Sequence, residues 1–216
     1  MKKILVCAGH FYPYIGGYEK YIQELYKRLT TNFDIDILTY DNKKSPQYEK
    51  VDGLHVHRLE SLDFNNVYPI LKFNLKNLKL LYKLFNKKYD YINTQTRFFS
   101  INFIGLFFSK FKGVKMIHTE HGTTHVILKS SLMSFLGKIY DHTFGTILIK
   151  SAWKNIGVSE ASSKFLKHLG ANKTYVVPNG VDTSIFKKKK TDLKKKLRIS
   201  KDHKIITFIG RLIYAK

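Results

Sequence analysis

Val114-Lys115-Met116-Ile117-His118-Thr119-Glu120-His121-Gly122 lies just past the middle of the chain. Its first six residues read as a strand, and the strand runs into a polar loop carrying Glu120, His121, Gly122 and His125. Outward from it, helix and strand alternate in both directions. Phe98 to Phe108 is apolar most of the way round and predicts a buried helix, preceded by a strand from Tyr89 to Thr94. A long helix is expected from about Ser131 to Ile149, followed by a strand from Trp153 to Val158. Further out lie strands at Lys3 to Ala8, Asp34 to Tyr40, Leu54 to Leu59 and Thr174 to Val177. Helices at about Tyr18 to Leu29, Phe73 to Phe85 and Ser159 to Leu169 separate them, and Asp41 to Asp52 reads as a polar loop. Such alternation defines an α/β fold, a doubly wound parallel sheet of Rossmann-like type with helices on both faces. Ligands of these sheets bind at the carboxyl ends of the strands. The loops at 9–17, 94–97, 119–125 and 159–160 all fall there.

Composition narrows the partners. With 44% hydrophobic residues in 216, a sizeable core forms without staples, and the single cysteine, Cys7, excludes an internal disulfide. Cys7 sits in an apolar strand and reads as a small core residue. No apolar stretch reaches the roughly 18 residues of a membrane span, so a cytoplasmic protein, soluble or on a membrane surface, is expected. The net charge of +22 invites an anionic partner, but only five of the 38 basic residues are arginine. That skew, with abundant Asn, Ile, Phe and Tyr, points to coding bias and solvated faces. It also singles out Arg211, where arginine stands in place of the common lysine.

Four motifs carry chemistry. Gly16-Gly17 precedes a helix, where free amides and a partial positive charge attract phosphate; it is not the Gly-x-Gly-x-x-Gly of dinucleotide enzymes, which disfavours a nicotinamide or flavin cofactor. His118-Thr119-Glu120-His121-Gly122-Thr123-Thr124-His125 is the densest polar cluster. It lacks the helical His-Glu-x-x-His order and straddles a strand end, so a neutral histidine donating to a bound sugar is preferred to a metal site. Asp34-Ile35-Asp36 resembles a metal-holding Asp-x-Asp but lies in an alternating strand and is read as that strand's polar edge. Ile205 to Ile209 predicts a strand within 203–209. Gly210 ends it, and Arg211 and Lys216 follow with the charge to grip a diphosphate.

Taken in order, Pro13-x-x-Gly16-Gly17-x-Glu19, Tyr89-Asp90-Tyr91-Ile92, His118-x-x-His121-Gly122, Val158-Ser159-Glu160, Val177-Pro178-Asn179-Gly180-Val181-Asp182-x-x-x-Phe186 and Gly210-Arg211-Leu212-x-x-x-Lys216 resemble the retaining GT-B glycosyltransferases of family 4. The resemblance implies two Rossmann-like domains across a cleft, a nucleoside-diphosphate sugar as donor, no cofactor and no metal. It implies that Gly16, Gly17, Arg211 and Lys216 hold the donor diphosphate and that His121 is catalytic, beside the transferred sugar. Glu120, Gly122, Ser159 and Glu160 would lie near sugar or acceptor. Residues 1–185 would form the N-terminal acceptor-side domain, 186–202 a lysine-rich linker and helix, and 203–216 the start of a C-terminal donor-binding domain. The family's Glu-x₇-Glu motif is missing, and a second domain needs on the order of 100 further residues. The 216-residue chain is therefore expected to be inactive alone, needing the missing C-terminal domain.

The expected role is synthesis of a glycan, glycolipid or cell-surface polysaccharide, with a glycan or lipid-linked acceptor and no nucleic acid. The enzyme would be cytoplasmic, or peripheral on the inner face of the membrane. The competing reading is a non-catalytic basic Rossmann-like domain that binds an anionic membrane or nucleic acid. The Lys72, Lys76, Lys79, Lys83 and Lys87 stripe suits either, since an anionic membrane surface can also present a lipid-linked acceptor.

Overall fold

The computed structural model describes residues 1–41, 45–64, 68–127, 130–187, 192–200 and 202–209. Among these, nine strands form one sheet in the order β3-β4-β2-β1-β6-β7-β8-β9, with β5 paired to β4. The strands are β1 (Lys2–Cys7), β2 (Phe33–Asp41), β3 (Tyr48–Val51), β4 (Leu54–Phe64), β5 (Tyr68–Leu71), β6 (Tyr91–Gln95), β7 (Lys115–Glu120), β8 (Lys154–Gly157) and β9 (Thr174–Val176). The helices are α1 (Gly17–Leu29), α2 (Leu75–Phe85), α3 (Ile101–Lys112), α4 (Ser131–Tyr140), α5 (Thr146–Ser151), α6 (Glu160–His168) and α7 (Leu193–Lys196). A π-helical turn, Asp141–Gly145, joins α4 to α5.

The doubly wound Rossmann-like sheet is present, and its seven expected strands all pair in parallel. Opposite faces of β1 feed separate cores. Leu5 and Cys7 pack with Leu38, Leu59, Leu84, Ile92, Ile101 and Phe108, while Ile4, Val6 and Ala8 pack with Ile22, Ile35, Ile37 and Val56. Burial pushes the Cys7 thiol up to about 12, as befits a core residue.

Four expectations need correction. The sheet is mixed: β3, inside the expected 41–52 loop, and β5 are both antiparallel to β4. Such hairpins close one edge of the sheet. The leucine spacing of α2 would turn Leu75, Leu78, Leu81, Tyr82 and Phe85 inward; Leu81 and Phe85 do pack against the core, but the face is rotated. Leu75, Leu78 and Tyr82 are exposed, while Asn77, Leu80 and Leu84 are buried. Asn77 docks the helix on β4, its Nδ2 donating to the Glu60 and Lys72 carbonyls and its Oδ1 accepting from the Glu60 N–H.

Asp36 is not an edge residue but a buried carboxylate. It accepts from His57 Nε2 (2.7 Å), Lys87 Nζ (2.9 Å) and the Tyr89 hydroxyl (2.8 Å). Burial pushes its carboxyl up, but these donors and the Lys87 charge reverse that and hold it well below the usual range. Lastly, residues 203–209 form no strand. Ile206 is 96% and Ile209 90% exposed, since no strand among the described residues pairs with them.

Candidate functional site

The strand order reverses between β1 and β6, which run to opposite sides of the sheet. A crevice outside the carboxyl ends is expected at such a switch. The chain leaves β1 at Gly9, where a β-carbon would fall 2.2 Å from the Phe99 ring. Phe99 in turn packs on His10, Tyr18 and Tyr68. This aromatic floor lies between the start of α1 and the turn after β6.

Gly16 caps α1 with extended backbone (φ −164°) and no side-chain hydrogen bond. A β-carbon there would meet Glu19 Oε2 at 2.2 Å, so a larger residue would displace that carboxylate from the helix end. The Glu19 carboxylate is folded back over Gly16, so this end of the helix already faces a negative charge. Gly17, with nothing within 4 Å of a would-be β-carbon, is the open approach. Tyr18 and Tyr21, on the first turns of α1, meet the His121 ring edge-on at centroid distances of 5.1 and 4.8 Å. Gly16, Gly17 and His121 are thereby brought to one place.

His121 Nε2–H donates to Gln95 Oε1 (2.8 Å), and Gln95 Nε2 donates to Asn93 and to the Tyr26 hydroxyl (3.4 Å). Burial pushes the His121 imidazole down to about 4, against the opposing pull of the Glu120 charge. The ring is neutral at pH 7. With Nε2–H engaged, Nδ1 is left as an acceptor, so it is this nitrogen, not a donor, that His121 offers a hydroxyl.

Glu120 is fully buried. It accepts from Gly122 N (2.7 Å) and Arg97 N (3.2 Å), pairs with Arg97 Nη1 (3.1 Å), and has His118 Nε2 at 3.4 Å. Fully buried and with both oxygens engaged by Gly122 and Arg97, it positions the 120–122 turn. Gly122 lies beneath Arg97, where a β-carbon would be 3.0 Å from Nη1. Ser159 caps α6, its Oγ accepting from Ser162 N (3.1 Å), and Glu160 is exposed in the first turn. The Val158 N–H donates to the Glu120 carbonyl (3.2 Å), which ties this corner to β7. Gly210, Arg211 and Lys216 lie outside the described residues.

Arg97, Asp141 and Gln95 escape a reading of sequence alone. Arg97 is buried and binds Asp141 through Nε (2.8 Å) and Nη2 (2.9 Å), with its guanidinium carbon 4.4 Å from the Phe165 ring centroid. Thr96 aims it from a left-handed conformation (φ 55°), costly for a β-branched residue. Asn102 holds that turn, its Nδ2 donating to the Gln95 (3.1 Å) and Thr96 (2.6 Å) carbonyls. The available signal was compositional: Arg97 is one of five arginines and stands in one of the carboxyl-edge loops.

Burial favours the neutral form of Glu120, but the His118 hydrogen bond, the Arg97 and His118 charges and the Gly122 N–H bring its carboxyl down to about 2. An acid depressed on folding stabilises fully above its unfolded value of about 4.3, and the gain is lost as pH falls through the folded value. The melting temperature should therefore hold down to about pH 5 and fall from there towards pH 2. A melting curve independent of pH across that window would contradict the assignment.

Fold and site together are those of a doubly wound Rossmann-like protein whose carboxyl-edge loops gather around a neutral histidine. The model of Glycosyltransferase Family 4 matches residues 15–185. The chain belongs to glycosyltransferase family 4. It is 32% identical over 170 residues to the uncharacterized glycosyltransferase MJ1069 of Methanocaldococcus jannaschii, spanning 76% of this chain and 43% of that protein. Among solved structures, Alr3699/HepE of Anabaena in complex with UDP-glucose superposes with a TM-score of 0.59 at 16% identity, over 92% of this chain and 49% of HepE. Sucrose-phosphate synthase (tll1590) of Thermosynechococcus elongatus gives 0.61 at 16% identity, over 94% and 54%. The chain thus spans about half the length of the proteins it matches. No helix among the described residues is long and apolar enough to cross a membrane.

Proposed function

We propose that this chain is the acceptor-side half of a retaining glycosyltransferase that moves a hexosyl group from a nucleoside-diphosphate sugar to a glycan or lipid-linked acceptor. The observation that carries the reading is the neutral His121, held by Gln95 between Tyr18 and Tyr21 beside the open Gly17 end of α1. Nδ1 accepts a hydrogen bond from a sugar hydroxyl, and Gly17 gives the diphosphate room. Residues 1–185 form the acceptor-side domain, 186–202 the linker, and 203–216 open the donor-binding domain, where Arg211 and Lys216 neutralise the departing diphosphate. The transfer step uses no metal. That HepE was solved with UDP-glucose supports a nucleotide-sugar donor and makes UDP-glucose the first to assay.

A cytoplasmic enzyme at the inner membrane surface, working in glycan, glycolipid or surface polysaccharide synthesis, fits α4. This helix buries none of its residues and exposes Leu132, Phe135, Leu136 and Ile139.

The test measures nucleoside-diphosphate release from a panel of nucleotide sugars. It compares the 216-residue chain with the chain extended by a GT-B C-terminal domain, encoded by its own downstream codons or supplied by the M. jannaschii relative. Turnover by the extended protein alone is expected. Turnover by the 216-residue chain overturns the half-enzyme reading, and silence from both overturns the transferase reading.

A further inference from the structure

We infer that His125, His142 and His168 form a binding site for one transition-metal dication of the zinc class. One ring nitrogen from each lies within 4.8 Å of the others. The ring centroids are 5.1, 5.6 and 5.4 Å apart. Zinc–imidazole bonds of about 2.0–2.1 Å place tetrahedral nitrogens about 3.3 Å apart. His142 and His168 are exposed, so side-chain rotation closes that gap without moving the backbone. Three imidazoles with no thiolate or further oxygen ligand suit Zn, Cu or Ni rather than Mg or Ca. The fourth position would go to water.

A second observation supports binding rather than chance proximity. His125 Nδ1 stands 2.7 Å from Asp141 Oδ2, and a carboxylate oxygen can only accept, so Nδ1 carries the proton and Nε2 keeps its lone pair. Asp141 is itself fully buried and gripped by Arg97 from two nitrogens. A carboxylate fixing the far nitrogen of a ligating histidine is the usual orienting device at zinc sites. Phe165 flanks both His125 (5.1 Å) and His168 (5.9 Å), giving the cluster an apolar wall. The three ligands come from the loop after β7, the π-helical turn and the end of α6. One ion would therefore staple the 121–127 loop to two helical segments.

The experiment titrates the 216-residue chain, stripped with EDTA and dialysed, with zinc chloride in a calorimeter. One ion per chain is expected, with a melting temperature that rises as zinc is added. His142→Ala and His168→Ala should each weaken binding by about tenfold or more. Both side chains are exposed, so the metal-free variants should melt like the parent. His203→Ala, outside the cluster, should bind as the parent does. No saturable heat, undiminished binding by the His142→Ala/His168→Ala double variant, or equal loss in His203→Ala would overturn the site. Because no nucleotide sugar enters the assay, its failure leaves the glycosyltransferase reading untouched, and the reverse also holds.

Discussion

Arg97→Met should lower the stability of the chain by about 3–5 kcal/mol, a fall in melting temperature on the order of 10 °C. The substitution preserves bulk over Phe165 and removes the charge. It leaves Glu120 and Asp141, both fully buried, facing each other's surroundings without a cation. Leaving a buried charge unpaired costs far more than the pair contributed, which is why this loss exceeds that of any surface ion pair such as Lys20–Glu24. Arg97→Lys should recover only part. An ammonium cannot span both Asp141 oxygens while also reaching Glu120 and the Thr124 carbonyl, as the planar fork does. Chemical denaturation of the three proteins at pH 7 measures this. Coincident curves would mean that the cluster is not the keystone its burial makes it.

His121→Ala should leave the fold intact and lower sugar transfer by the extended protein on the order of 10²-fold, the cost of a misplaced substrate. The ring is half-buried, and Gln95, which it binds, retains Tyr26 and Asn93. Since the imidazole titrates near 4, no limb of the rate profile between pH 5 and 8 should belong to it. Comparing kcat and KM of parent and variant across that range is the measurement. Full activity in the variant would remove His121 from the chemistry, and a limb near pH 6 that vanishes with the substitution would show the ring to be charged in the working enzyme.

β1 was legible because it is buried on both faces, so its apolar run announces it; β6 and β7 show only short apolar openings, Tyr91-Ile92 and Met116-Ile117, and were legible from their place between helical patterns. What failed was everything decided by polar residues acting from inside. Asn77 rotated α2 so that Leu75 and Leu78 face outward while Leu80 and Leu84 are buried, which a periodicity argument misses because it seats an asparagine outward. Asp36 seemed an edge residue, because its three donors come from β4 and from residues 87 and 89, far along the chain. The same blindness hid Arg97 and Asp141, whose pairing spans 44 positions. Gly16, Gly17 and His121 were visible as residue types, but Glu19 covering Gly16, and the direction in which His121 is protonated, belong to the folded chain.

The π-helical turn at Asp141–Gly145 has a consequence for how the chain opens. An α-helix interrupted by one wide turn changes the direction its two halves face. Here α5 beyond the turn buries Leu148 and Ile149 in the core, whereas α4 before it buries no residue fully and is tied down at its last residue, Tyr140, whose hydroxyl donates to the Arg97 carbonyl (3.4 Å). The two halves therefore belong to different cooperative units. Local melting of α4 is expected to stop near Asp141, where Arg97 clamps the turn. The helix can thus fray, tilt or reseat against a new surface while the histidine loop it adjoins stays fixed.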